Sequence, residues 1–121
     1  MFSKREIGIE GEDLAEKALR KRGYKIVEKN YRSKFGEIDI IAEEKGCLVF
    51  VEVKRRTTGS FGDSLEAVDE KKKRHMIRSA MWYLKANKCA NRKVRFDVVG
   101  IDGDALKIIQ HAFIVEEGAQ K

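Results

Sequence analysis

Two apolar, β-branched runs occupy the middle of the chain. Ile38, Ile40, Ile41 and Ala42 follow Gly36-Glu37, and Leu48-Val49-Phe50-Val51 leads into Glu52-Val53-Lys54, with only Glu43-Glu44-Lys45-Gly46 between them. Such runs about a short polar connection ending in glycine predict an antiparallel hairpin. Strand side chains alternate between faces, which puts Glu37, Asp39 and Ile41 on one face of the first strand and Leu48, Phe50, Glu52 and Lys54 on one face of the second.

Periodicity changes on either side of the hairpin. Ser3 with Glu6 has the spacing of a capping box, and Ile7, Leu14, Ala15, Ala18 and Leu19 recur near helical spacing until Gly23, predicting a helix over about residues 5–22. Residues 24–30 read as a first strand, and Ser33 to Gly36 as its link to the hairpin. Thr57 to Gly62 reads as a mobile polar loop. Asp63 and Glu66 can cap a second helix running to about Asn87, with Val68, Ile77, Ala80, Met81 and Leu84 as its buried stripe. Val94 to Val99 predicts a fourth strand, and Leu106 to Val115 a fifth, broken near Gln110-His111. Glu116 to Lys121 reads as a frayed end. The order helix, three strands, helix, two strands predicts an α/β fold: a central mixed five-stranded sheet with a helix on each face.

At 121 residues, 42% hydrophobic and without proline, the chain has the size of a single domain, 1–121. It lacks an apolar run long enough to span a bilayer and an apolar signal-peptide core, so a soluble, cytoplasmic protein without membrane contact is expected. The two cysteines, Cys47 and Cys89, lack metal-ligand spacing and read as small buried thiols. A net charge of +6 favours a polyanionic partner.

The hairpin carries the candidate chemistry. Asp39, Glu52 and Lys54 share faces with Ile41, Leu48 and Phe50, so they project from an otherwise apolar surface, where unpartnered charge costs several kcal/mol or more. A divalent cation held by the two carboxylates would compensate them. A cross-strand salt bridge is the plainer alternative. For hydrolysis of a phosphodiester, Asp39 and Glu52 suit Mg2+ or Mn2+, the Val53 carbonyl adds an oxygen, and Glu12 from the first helix could complete the shell. Lys54 could orient or deprotonate the attacking water, or stabilise developing charge.

Asp39 followed by Glu52-Val53-Lys54 is similar to the active-site motif of the PD-(D/E)xK nucleases, the restriction-endonuclease-like superfamily. The chain as a whole resembles the YraN family, bacterial predicted nucleases distantly similar to archaeal Holliday junction resolvases. The residues carrying the resemblance are Gly11-Glu12, Asn30-Tyr31-Arg32, Gly36-Glu37-Ile38-Asp39, Phe50 to Lys54, Ala67-Val68 with Lys72, and Arg95 to Val99. Ile38 stands where the superfamily's name has proline, which is not chemically required. The resemblance implies a restriction-endonuclease-like fold, metal ligation by Asp39 and Glu52, a catalytic Lys54 and participation of Glu12. The acid, acid, lysine set on a basic chain makes DNA the expected substrate, with branched or otherwise non-canonical DNA as one candidate form.

Other residues admit two readings each. Arg32, Arg55, Arg56, Lys72 and Arg74 could line a phosphate track, or the Lys71–Arg74 run could be a solvated helix face. Glu37 reads as a support to Asp39 that pairs with Arg32 or Lys54. Tyr31 and Phe61 could stack on bases or pack in the core. Trp82 and Tyr83 could be core or a homodimer contact, and Asp97 a buried structural carboxylate or a further site residue. His75 and His111 read as ordinary histidines. The function reading is a Mg2+-dependent endonuclease. Its alternatives are a non-catalytic nucleic-acid binder with the same fold and a basic protein-interaction module.

Overall fold

The two central runs fold as the hairpin their pattern predicts, with the chain reversing at Lys45-Gly46. Both residues have positive φ, 50° and 80°, which is the two-residue turn whose twist matches that of the flanking strands and which favours glycine. In the computed structural model, which describes residues 4–56, 70–103 and 105–113, the elements are α1 (Lys4–Lys21), β1 (Lys25–Ser33), β2 (Gly36–Glu44), β3 (Cys47–Arg56), α2 (Glu70–Ala86), β4 (Lys93–Asp102) and β5 (Ala105–Phe113). The expected loop at Thr57–Gly62, the Asp63–Glu66 cap, Phe61, Ala67-Val68 and the C-terminal residues lie outside the described residues. So do the side chains of residues 4–10 and of Arg56.

The strands form one sheet in the order β1-β2-β3-β4-β5. Only β3 and β4 are parallel, which their long connection through α2 allows; the other pairs are antiparallel. The sheet is therefore mixed and five-stranded with a helix on each face, the α/β arrangement expected of a restriction-endonuclease-like domain. Ala15 and Leu19 of α1 pack on Ile40, Ala42, Val49, Val51, Val99 and Ile101 of the sheet. Met76, Ala80 and Tyr83 of α2 pack on Ile41, Leu48, Phe50 and Phe96 of its other face. This two-sided burial explains why β2 and β3 read as nearly continuous apolar runs.

Several boundaries move. The first strand continues to Ser33, so the expected link Ser33–Gly36 is a tight turn in a second hairpin, with Ser33 paired to Gly36. In both helices the apolar stripe is narrower than predicted: Leu14 is 40% exposed and Met81 39%. Each lies at the rim of its helix, where the five-stranded sheet no longer covers it. The break expected near Gln110-His111 is a bulge, with His111 at φ 53° and the β4–β5 register shifting between Phe96 and Val98. Both cysteines are free and only partly buried. Among the described residues, no helix is long and apolar enough to cross a membrane.

Candidate functional site

β2 and β3 pair from Glu44–Cys47 as far as Ile40–Val51. Continued in register, the ladder would bring Asp39 opposite Glu52 and then Ile38 opposite Val53, but the Val53 N–H donates instead to Asp39 Oδ2 at 2.8 Å. A strand residue projects its N–H and C=O to the same side, so the Val53 carbonyl faces the same gap.

Strict alternation fails at this point, which corrects the expected face assignment of Asp39. Ile38 and Ile40 are two residues apart, yet Ile38 packs with Ile41 under α2 and Ile40 packs under α1. Across the ladder, between the pairs Lys29–Ile40 and Tyr31–Ile38, Asn30 adopts a left-handed φ of 54°. Asn tolerates that region better than most residues, and one left-handed residue is enough to turn β1 over. Asp39, beside it on β2, stands where β2 changes faces, within the field of both Glu12 on α1 and Glu52 on β3.

Glu52 extends from β3 toward α2. It is 5% exposed. Its Oε1 lies 3.3 Å from Lys72 Nζ and 3.8 Å from Lys54 Nζ. Its Oε2 is buried without a hydrogen-bond partner among the described residues. Burial, then the charge of Glu52, pushes the Asp39 carboxyl from its ordinary 3.8 up to about 7, against the opposing pull of the Val53 N–H and Lys72. Raised this far, the Asp39 carboxyl keeps its proton toward neutral pH and can serve as a donor beside Glu52.

A second carboxylate pair adjoins the first. Burial and then the charge of Asp39 raise the Glu12 carboxyl. With its amide nitrogen turned toward the acids, Asn30 donates to Glu12 at 3.1 and 3.2 Å and to Glu37 at 3.1 Å. Asn30 therefore ties helix α1 to β2, a role that its place in a sequence motif did not reveal. Arg32 approaches Glu37 only loosely, at 3.8 Å, and is largely exposed. Arg55 packs against Gly11, where an added Cβ would lie 3.4 Å from its Cδ and Nη1. Arg74 is exposed on α2. Lys72, expected along a phosphate track, directs its ammonium into the carboxylates.

Among the described residues, no three His, Cys, Asp or Glu side chains converge closely enough to hold a metal ion by themselves. Two adjacent carboxylates, one with an orphaned buried oxygen, and a backbone carbonyl facing the same gap fit Mg2+. That ion binds through one or two carboxylates and keeps several waters. The arrangement does not fit a closed zinc site.

Asp97 belongs to a different structure. It is fully buried and receives Arg95 Nε at 2.9 Å, Arg95 Nη2 at 2.8 Å, the Tyr24 hydroxyl at 2.7 Å and the His111 N–H at 3.1 Å. Arg95 Nη1 also donates to Glu44 at 2.7 Å. Asp97 pairs in register with Val51, a residue buried under α1, and Glu52, the next residue of β3, points the opposite way. Asp97 is thus structural, as one of its two readings held. Tyr31 and Tyr83 also resolve to the core, their rings packed edge to face at 5.2 Å.

Compared with known proteins, residues 11–101 match the model of the uncharacterised protein family UPF0102. A UPF0102 protein of Desulfosudis oleivorans is 45% identical over 112 residues, 91% of each chain. One of Persephonella marina is 44% identical over 106 residues, 88% of this chain and 91% of the relative. One of Fusobacterium nucleatum is 46% identical over 107 residues, 88% of this chain and 90% of the relative.

Proposed function

The chain belongs to the UPF0102 family, and from that premise we propose that it is a Mg2+- or Mn2+-dependent endonuclease of PD-(D/E)xK type, acting on branched or otherwise non-canonical DNA. The name YraN and the wider nuclease superfamily are part of this reading. It rests above all on Glu52 Oε2, a buried carboxylate oxygen beside Asp39 that has no donor among the described residues. Burying such an oxygen is costly unless a proton or a cation serves it.

Asp39 and Glu52 would hold the ion, with the Val53 carbonyl and water completing its shell. When bound, the ion supplies charge neutralisation at the phosphate and a more acidic water. The side chains do the rest. The Val53 N–H fixes the Asp39 carboxylate. Lys72 holds Glu52 in place, and Lys54, loosely paired at 3.8 Å, is available to orient the nucleophile or to meet charge developing on the phosphate. Glu12 and Glu37, fastened by Asn30, add negative potential that strengthens cation binding at Asp39.

The test is cleavage of linear, flapped and four-way DNA in Mg2+ or Mn2+. Activity on at least one substrate that disappears in Asp39→Ala supports the proposal; no metal-dependent cleavage of any substrate removes it. The second reading, a non-catalytic nucleic-acid binder, draws on the two ammonium groups at Glu52 Oε1, which balance its charge without an ion. It requires salt-dependent binding that is indifferent to metal and to Asp39→Ala. A titration of Mg2+ or Mn2+ into wild type and Glu52→Ala, followed by calorimetry, separates the two.

A further inference from the structure

The outer face of α2 carries a feature that hydrolysis at the carboxylates does not use. Lys71, Arg74, Arg78, Trp82 and Lys85 recur at spacings of three and four and are all exposed, so they form one stripe along the helix. At ~1.5 Å per residue the stripe is about 21 Å long. Among the described residues, no carboxylate lies within ion-pair distance of its four cations. One end starts beside Lys72, the residue that reaches Glu52. The other end meets the β1–β2 turn.

At that far end Trp82 is 43% exposed. The Phe35 ring meets it edge-on, with centroids 6.3 Å apart, and the Lys34 ammonium sits 5.1 Å from the indole centroid. A surface cavity of about 270 Å3 opens beside the indole, lined by Trp82, Lys85 and Ala86. A part-exposed indole framed by cations, with the mobile Lys34 ammonium over its ring, matches a ligand that is flat and apolar on its faces and anionic at its edge. An acidic peptide would satisfy the cations and leave the indole without a planar partner. A nucleotide satisfies both, and only in an unpaired strand is the face of its base free to stack.

We propose that Trp82, Phe35, Lys34, Arg78 and Lys85 form a binding site for unpaired nucleotides, where a base stacks on the indole while its strand follows the basic stripe toward the carboxylates. The proposal rests on nucleic acid being the partner but not on cleavage. It narrows the substrate to DNA with a single-stranded segment adjoining the scissile bond.

Trp82 is the chain's one tryptophan, so its fluorescence reports the site directly. The probe is a short oligothymidylate, titrated at low salt in EDTA beside a duplex of equal length and a poly-glutamate control. The expected result is saturable quenching by the single strand alone. In parallel anisotropy measurements with an end-labelled strand, Trp82→Ala should bind about tenfold more weakly and Trp82→Phe should recover most of the loss. Unchanged melting of both variants guards against unfolding as the cause. Single-strand binding without quenching, and equally tight in Trp82→Ala, overturns this site and leaves the nucleic-acid reading standing. Equal quenching by poly-glutamate overturns it in favour of an acidic protein partner. No binding of either nucleic acid overturns it together with the reading it rests on, whereas absence of cleavage alone does not touch it.

Discussion

Asp39 accepts the Val53 N–H at the point where β2 and β3 stop pairing. A side chain thus takes the place of a backbone acceptor, which fixes the carboxylate through one of its two oxygens. The energetic consequences of that placement can be measured.

Asp39 titrates at about 7 in the folded protein against an ordinary 3.8. Between these values the folded state keeps a proton that the unfolded chain has released, so this residue's contribution to stability falls as pH rises through the window. Asp39→Asn retains an oxygen for Val53 and cannot ionise. It should stabilise the protein at pH 8, by on the order of 2 kcal/mol, and change little at pH 4. Urea denaturation at the two pH values checks this; an equal effect at both would mean that ionisation of Asp39 carries no cost.

A divalent cation at Asp39 must displace the proton that its raised carboxyl keeps. Mg2+ or Mn2+ affinity should therefore rise with pH up to about 7 and then level off, with proton release on binding at pH 6. Calorimetry in two buffers of different ionisation enthalpy measures the protons released. Binding with no pH dependence would place the ion away from these carboxylates.

Lys72 and Arg74 are neighbours on a basic helix but should behave differently. Lys72→Met removes the ammonium 3.3 Å from Glu52 and a force that lowers the Asp39 carboxyl. It should push Asp39 further up and reduce metal-dependent activity at least tenfold. Arg74→Ala should leave metal binding unchanged and weaken DNA binding uniformly across sequences, reducing the salt slope by about 1. Steady-state kinetics and salt titrations of both variants distinguish these effects.

Asn30 joins a strained backbone to a bridging amide. Asn30→Gly keeps the left-handed conformation and removes the donors to Glu12 and Glu37. The Glu12 carboxyl should rise further, because the amide is what opposes its burial. Carboxyl titration by NMR reads the shift directly. Asn30→Ala should be less stable than Asn30→Gly by about 1 kcal/mol, the cost of positive φ.

Breaking the buried ion network should unfold the protein without acting through the site. Arg95→Met strands Asp97, which is fully buried, and should cost about 3–5 kcal/mol. Chemical denaturation measures the loss. A cost below about 1 kcal/mol would show that the network is not structural.

The amino-acid sequence by itself determined the central hairpin, the two helices, the mixed sheet and the proximity in kind of Asp39, Glu52 and Lys54. These follow from local periodicity, from turn residues such as Lys45-Gly46 and from spacing within one strand, where Glu52 and Lys54 must share a face. Only the tertiary structure decided the rest. The reversal of faces at Asp39, beside the left-handed Asn30 of the neighbouring strand, is one that no hydrophobic pattern marks. The capture of Lys72 by Glu52 and of Glu12 by Asn30 joins residues far apart in the chain. The exposure of Leu14, Met81 and Trp82 depends on where the sheet ends beneath each helix. Ionisation behaviour at Asp39 is set by burial and by neighbouring charge, and both exist only once these distant segments have packed together.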